Sequence, residues 1–280
     1  MPKQPLIFIS VKFVLLSVMM SLILSACSRK VPQDGPPKGN INVSQIKNPI
    51  PRKETKSRYG NPPSYVIAGK RYFVLPTSDG YQKRGIASWY GTKFHGRLTS
   101  SREPYDMLAM TAASPELPIP CYAQVTNLEN GETIIVRVND RGPFAPNRII
   151  DLSYAAASKL GFSQKGTALV EVKTVTSVPQ STLATQSNQP SYLINSTTQL
   201  AHNPQLFLQV GAFHNQSNAS LLKQQLASLT HKGVRIETQQ HASGKLFLVQ
   251  IGPLKGVGES DQLLAQLQQA GYREALTVIS

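Results

Sequence analysis

The sequence is short of acidic residues and of cysteine, and each shortage narrows what the chain can be. Its 15 Asp and Glu face 29 Lys and Arg, a formal net charge of +14 over 280 residues. That excess suits an anionic partner: nucleic acid, lipid headgroups or an anionic wall polymer. Yet there are no zinc-ligand clusters, no basic helix carrying heptads and no aromatic-and-glycine signature of an RNA-binding sheet. No nucleic acid is therefore expected as partner, and an envelope polymer takes its place. Cysteine occurs only at 27 and 121, too few for a disulfide framework. No cofactor and no metal is expected, since no ligand cluster is present. The apolar run from Phe13 to Leu24 is shorter than the roughly 20 residues that span a bilayer.

That run follows Lys3 and Lys12 and leads directly into Leu24-Ser25-Ala26-Cys27. A basic start, a short apolar core and small residues are the layout of a secretory signal. Small residues just before a cysteine resemble the lipobox of bacterial lipoproteins. The resemblance implies a signal peptide over 1–26 and acylation of Cys27. With Ser28 rather than Asp next, it also implies a membrane anchor in the outer membrane, facing the periplasm. An ordinary signal peptide cut nearby, beside an incidental cysteine, is the alternative. If Cys27 is acylated, Cys121 is left as an isolated, buried thiol.

Composition divides the rest. Residues 27–58 hold Pro32, Pro36, Pro37, Pro49 and Pro51 among Lys, Arg, Asn and Gly, which reads as a tether. A polar linker, rich in Ser, Thr, Gln and Asn, covers 177–203. Between them, 59–176 reads as mainly β. Val125-Thr126-Asn127-Leu128 and Thr133 to Val138 flank Asn130-Gly131, a hairpin signal with a type I′ turn expected. The second arm runs into Asn139-Asp140-Arg141-Gly142-Pro143, so Asp140 falls where a strand gives way to a loop, a common mounting for chemistry. Asp151 or Ser153 caps a short helix stopped by Gly161,. Several short strands with one brief helix suggest a small barrel.

Residues 204–280 contain an internal repeat. Leu208-Gln209-Val210-Gly211-Ala212-Phe213 is echoed by Val249-Gln250-Ile251-Gly252-Pro253-Leu254, and the offset between these glycines also carries Leu222 to Leu263 and Leu226 to Leu267. Two β-α units with further strands predict one sheet carrying both helices on one side. The other side is then open to a ligand.

Three blocks carry a family resemblance. Gly85 to Gly91 with Phe94-His95-Gly96-Arg97, then Val138 to Phe144, then Arg148-Ile149-Ile150-Asp151-Leu152-Ser153 are similar to the double-psi β-barrel of the rare lipoprotein A family. The 204–280 repeat resembles the SPOR domain, a small α+β, ferredoxin-like fold. The resemblance implies an endolytic lytic transglycosylase that cuts muramic acid–glucosamine bonds in peptidoglycan strands lacking stem peptides, leaving anhydro-muramic acid ends. It also implies enrichment at the division septum and divisome proteins among the partners. In such chemistry the nucleophile belongs to the substrate, so one carboxyl can serve as acid and then base. By position that carboxyl is Asp140, and Glu103 is its acidic partner. The family histidine falls on Ser114 and a usual glycine on Arg102. Serine cannot titrate near neutrality, and Arg102 would hold Glu103 ionised if the two met. Trp89 and Tyr90 are candidates to stack on sugar rings or to fill the barrel; Gln209, Phe213 and Gln250 are candidates to face glycan. The runner-up function is glycan binding without cleavage by a degenerate barrel. A polysaccharide-loosening protein on the same barrel fits less well, because the lipobox ties the chain to its own envelope.

Overall fold

The computed structural model describes residues 34–39, 41–176, 204–241 and 244–280. Cys27, the signal segment 1–26 and the linker 177–203 lie outside them.

Six strands close a barrel: β3 (Gln82–Tyr90), β4 (Thr111–Ala113), β5 (Cys121–Asn127), β6 (Thr133–Asp140), β7 (Arg148–Ser153) and β8 (Ala168–Thr174). Their order around it is β3-β7-β4-β6-β5-β8. β3 runs parallel to β7 and β4 parallel to β6, while the other pairings are antiparallel. Alternate residues point inward, as the two-residue period of a strand requires: Ala123 and Val125, then Ile134, Val136 and Val138, then Val170 and Val172 share one buried core. Helix α1 (Tyr154–Lys159) packs Ala155, Ala156 and Ala157 into that core, small side chains that allow close approach. Of the two N-caps expected, Ser153 takes the role, accepting from the Ala156 amide.

The β5–β6 hairpin departs from expectation. Asn127 O accepts from Gly131 N and Asn127 N donates to Glu132 O, so the loop is longer than a two-residue type I′ turn. Only Gly131 in it has positive φ, at 77°. The cause lies outside the loop: Asn127 and Asn130 both donate to Leu160 O, which draws the turn onto the end of α1.

The expected tether also differs. From residue 41 the segment is folded on the barrel, with a 3-10 turn at Val43–Gln45. Val43 and Ile46 pack against the barrel core, Lys159 Nζ donates to Ile46 O at 2.7 Å, and Ser57 N donates to Ile119 O at 2.9 Å. Two apolar anchors among prolines and charges are enough to bind an otherwise polar strap. A hairpin of β1 (Ser64–Ile67) and β2 (Lys70–Phe73) follows it.

The second domain is a four-stranded antiparallel sheet in the order β10-β11-β9-β12. Its strands are β9 (Leu206–Phe213), β10 (Val234–His241), β11 (Gly244–Leu254) and β12 (Leu276–Ile279). Helices α2 (Gln216–Leu229) and α3 (Val257–Gln269) bury Ala219, Leu226, Leu263, Leu264 and Leu267 with Leu206, Leu208, Val249 and Ile251 in one cluster. Ile86 and Leu169, paired on the barrel wall, belong to the same cluster. Arg148 adds two hydrogen bonds to Asp261, at 3.1 and 2.6 Å.

Candidate functional site

Asp140 ends β6, and a β-bulge decides where it points. Ala112 pairs with Val138 but Ala113 with Asp140, so Asn139 is an extra residue in β6. Without that insertion Asp140 would share the inward parity of Val138; with it, the side chain turns out of the core. A tight turn clamps this strand end, bridged by Leu98 and Pro104. Ser100 donates to Asp140 Oδ1 through its amide at 2.8 Å and its hydroxyl at 2.7 Å, and Arg141 N donates to the same oxygen at 2.7 Å. Arg141 anchors the loop in turn: its guanidinium donates to Gly60 O, Ser114 O, Leu117 O and Asn61 Oδ1, at 2.5 to 3.1 Å.

Glu103 closes the same turn, with its amide on Thr99 Oγ1 at 3.2 Å. Its carboxylate accepts from Arg137 at 2.6 and 3.0 Å and from Asn139 Nδ2 at 2.9 Å. Partial burial pushes this carboxyl up, but those donors outweigh it and hold it below the usual carboxylate range,. Arg137 also grips Glu54 from the strap, Nε at 2.9 Å and Nη2 at 2.7 Å, and the Tyr122 hydroxyl donates to the same Glu54. The Arg137 hydrogen bond, opposed by partial burial and helped by Tyr122, holds Glu54 at about 2.

Asp140 and Glu103 are therefore brought together by one turn, whereas other expected site residues are not. Ser114 is 1% exposed and its Oγ accepts from Glu116 N at 3.3 Å and Leu117 N at 3.1 Å. Its hydroxyl oxygen is engaged by its own loop, a local capping pattern usual for serine. Arg102 does not meet Glu103; its guanidinium lies 5.3 Å from the Tyr59 ring. Its φ of 72° is the left-handed conformation that favours glycine. Trp89 packs against the barrel core and donates to Ser163 O at 3.0 Å, and Tyr90 is buried in a stack on Tyr105, with ring centroids 4.1 Å apart. Tyr90 thus fills structure, whereas Trp89 is only partly buried. Burial pushes the Cys121 thiol up to about 12, leaving it inert as a nucleophile,. Among the described residues no group of three or more His, Cys, Asp or Glu side chains could hold a metal ion.

In the second domain Gln209 pairs with Gln250 on the sheet face away from the helices, and both line a shallow groove with Ala212, Glu237 and Leu248. Arg235 crosses this face, donating to Gln250 Oε1 at 3.0 Å and lying 3.6 Å from the Phe207 ring centroid. Phe213 is not with them. The register shift between Val249 and Gln250 leaves Val210 unpaired, so the alternation slips and Phe213 packs into the helix-side core,.

Two family models match: residues 82–172 fit one described as lytic transglycolase, and 204–277 the SPOR domain. A protein of Vibrio cholerae named endolytic peptidoglycan transglycosylase RlpA is 37% identical, over 93% of this chain and 94% of its own length. Its namesake in Pseudomonas aeruginosa is 34% identical, over 87% of this chain and 88% of its own length. The chain belongs to the RlpA family. The crystal structure of the RlpA SPOR domain from Pseudomonas aeruginosa is 32% identical, covering 26% of this chain and 96% of that domain at a TM-score of 0.25. The RlpA barrel here is thus a mainly β, six-stranded closed barrel followed by a SPOR domain. Sequence reasoning missed Arg137 and Glu54. Arg137 sits three residues before Asp140 on the strand already read, and its outward parity between Val136 and Val138 was the available signal; Glu54 gave none.

Proposed function

We propose that this RlpA-family chain is an endolytic peptidoglycan transglycosylase that cleaves the muramic acid–glucosamine bond of strands lacking stem peptides. The supporting observation is the single turn that holds Asp140 and Glu103 at one strand end, one carboxylate beside a serine and the other beside an arginine. Asp140 gives its proton to the glycosidic oxygen as the bond to the anomeric carbon breaks. The muramic acid's own hydroxyl then attacks that carbon and returns a proton to Asp140, closing the anhydro ring without water. Glu103 stays ionised and stabilises the positive charge that develops on the sugar. Acylation at Cys27 would hold the barrel at the outer membrane, and the open sheet face of the SPOR domain would bring it to stripped septal glycan. The test is mass spectrometry of products from purified peptide-free glycan: anhydro-ended fragments from the wild type and none from Asp140→Asn.

One observation favours a second reading, in which the barrel binds glycan without cutting it. The position of the family histidine is a buried serine whose hydroxyl faces its own loop, so no titratable group replaces the imidazole. Binding of glycan with no anhydro-ended product would select this reading.

A further inference from the structure

Arg137 is shared between two carboxylates, and only one of them belongs to the turn that carries Asp140. Glu103 takes Nη1 and Nη2; Glu54 takes Nε and Nη2. Glu54 comes from the strap before the barrel, outside the residues matched by the lytic transglycolase model. The strap is fixed there from both ends, by Val43 and Ile46 against the core and by Ser57 on Ile119. Tyr122, paired with Arg137 across β5 and β6, donates to Glu54 from the neighbouring strand. The Glu54 side chain is 16% exposed, against 40% for Glu103, so the inner carboxylate is the shielded one and the outer faces the open side of the turn.

The charge count gives the arrangement a purpose. Arg52 also lies against Glu54, at 3.4 Å, so Arg137, Arg52 and Glu103 without Glu54 would sum to plus one, which disfavours a cationic transition state. Adding Glu54 brings the group to neutral, with the more exposed carboxylate, Glu103, outermost. A guanidinium gripped on two edges by carboxylates is also fixed in its plane. We infer that Glu54 is a positioning residue: it orients Arg137 against Glu103 and offsets the arginine charge behind it, so that the site facing the substrate is not left net positive. The strap is thereby part of the working site. This rests on the reading of Glu103 as the ionised partner of Asp140.

The test compares the full-length protein with its Glu54→Gln and Glu54→Asp variants. Removing a unit of negative charge from behind Arg137 should change the rate by roughly tenfold. Glu54→Gln should lower kcat for anhydro-ended fragments by that factor with KM within about twofold, and Glu54→Asp should recover most of the loss. Equal kcat in wild type and Glu54→Gln overturns the inference, as does a loss that Glu54→Asp does not relieve. A second measurement does not need turnover. With a neighbouring negative charge gone and Arg137 still in place, the Glu103 carboxyl followed by NMR should titrate at lower pH in Glu54→Gln than in wild type. An unchanged or higher titration overturns the inference. A lower titration in a protein whose wild type releases no anhydro ends upholds the charge balance and rejects the proposed function.

Discussion

Arg137 reaches Glu103 with two nitrogens, at 2.6 and 3.0 Å, from a position three residues before Asp140 on the same strand. The two carboxylates of the turn therefore sit in different surroundings: Glu103 faces a guanidinium and the Asn139 amide, whereas Asp140 faces a hydroxyl and two backbone amides. Glu103→Gln keeps the hydrogen-bonding shape but removes the charge. It should lower kcat about a hundredfold while shifting the melting temperature by only a few degrees. Equal kcat in the variant would remove Glu103 from the chemistry.

Asp140 has a structural duty that a crude substitution would confuse with catalysis. Its Oδ1 accepts three hydrogen bonds, and an asparagine oxygen can accept the same three. Asp140→Asn should abolish detectable product and leave thermal unfolding nearly unchanged. Asp140→Ala should also cost about 1 kcal/mol, because part-buried donors on Ser100 and Arg141 lose their acceptor,. Similar melting temperatures for the two variants would contradict this.

Stability should fall in acid through Glu54. Its carboxyl lies at about 2 in the folded protein against an ordinary 4.5, so the folded state binds the proton less readily than the unfolded one. A depressed carboxyl contributes stability that is complete above about 4.5 and lost as the pH falls toward 2. Glu103, also lowered, acts in the same direction. Urea midpoints measured from pH 5 to 2 should drop more steeply for wild type than for Glu54→Gln.

How far these features were legible depended on whether local pattern or long-range register decided them. The barrel strands announced themselves, since the largely β-branched run Ile134 to Val138 follows a turn signal, and its every second residue, Ile134, Val136 and Val138, is buried. The motif at 138–144 placed Asp140 correctly at a strand end. What alternation could not reveal were the two bulges. One at Asn139 turns Asp140 outward, and one at Val210 turns Phe213 inward; each is set by the pairing partner, which a strand's own sequence does not contain. Glu54 was hidden differently. A segment with prolines and charges reads as a tether, and its two apolar anchors, Val43 and Ile46, carry no period.

Ser114 separates loop structure from chemistry. Its hydroxyl accepts from two loop amides, so Ser114→Ala should cost about 1 kcal/mol and leave kcat unchanged. Ser114→His can keep an acceptor for those amides through one ring nitrogen while adding a group that titrates near neutrality. It should raise the rate and introduce an inflection near pH 6.5 in the kcat profile. A flat profile with no gain would show that the missing imidazole is not what limits this barrel.

The last prediction separates the two faces of the SPOR sheet. Arg235, Gln209 and Gln250 lie on the open face, with Arg235 hydrogen-bonded to Gln250 and stacked over Phe207. Phe213 lies on the helix side, where a side chain on Gly211 would meet its ring at 2.7 Å. Truncating Phe213 to alanine therefore removes core packing and should cost about 2 kcal/mol of domain stability, without changing affinity for stripped glycan at temperatures where the domain stays folded. Arg235→Ala frees the Gln250 carbonyl and uncovers the Phe207 ring on the face offered to ligand. It should weaken co-sedimentation with peptide-free glycan by tenfold or more and leave the helix-side core intact. Equal glycan binding by wild type and Arg235→Ala, with weakened binding by Phe213→Ala, would place the ligand on the helix side and reverse the assignment.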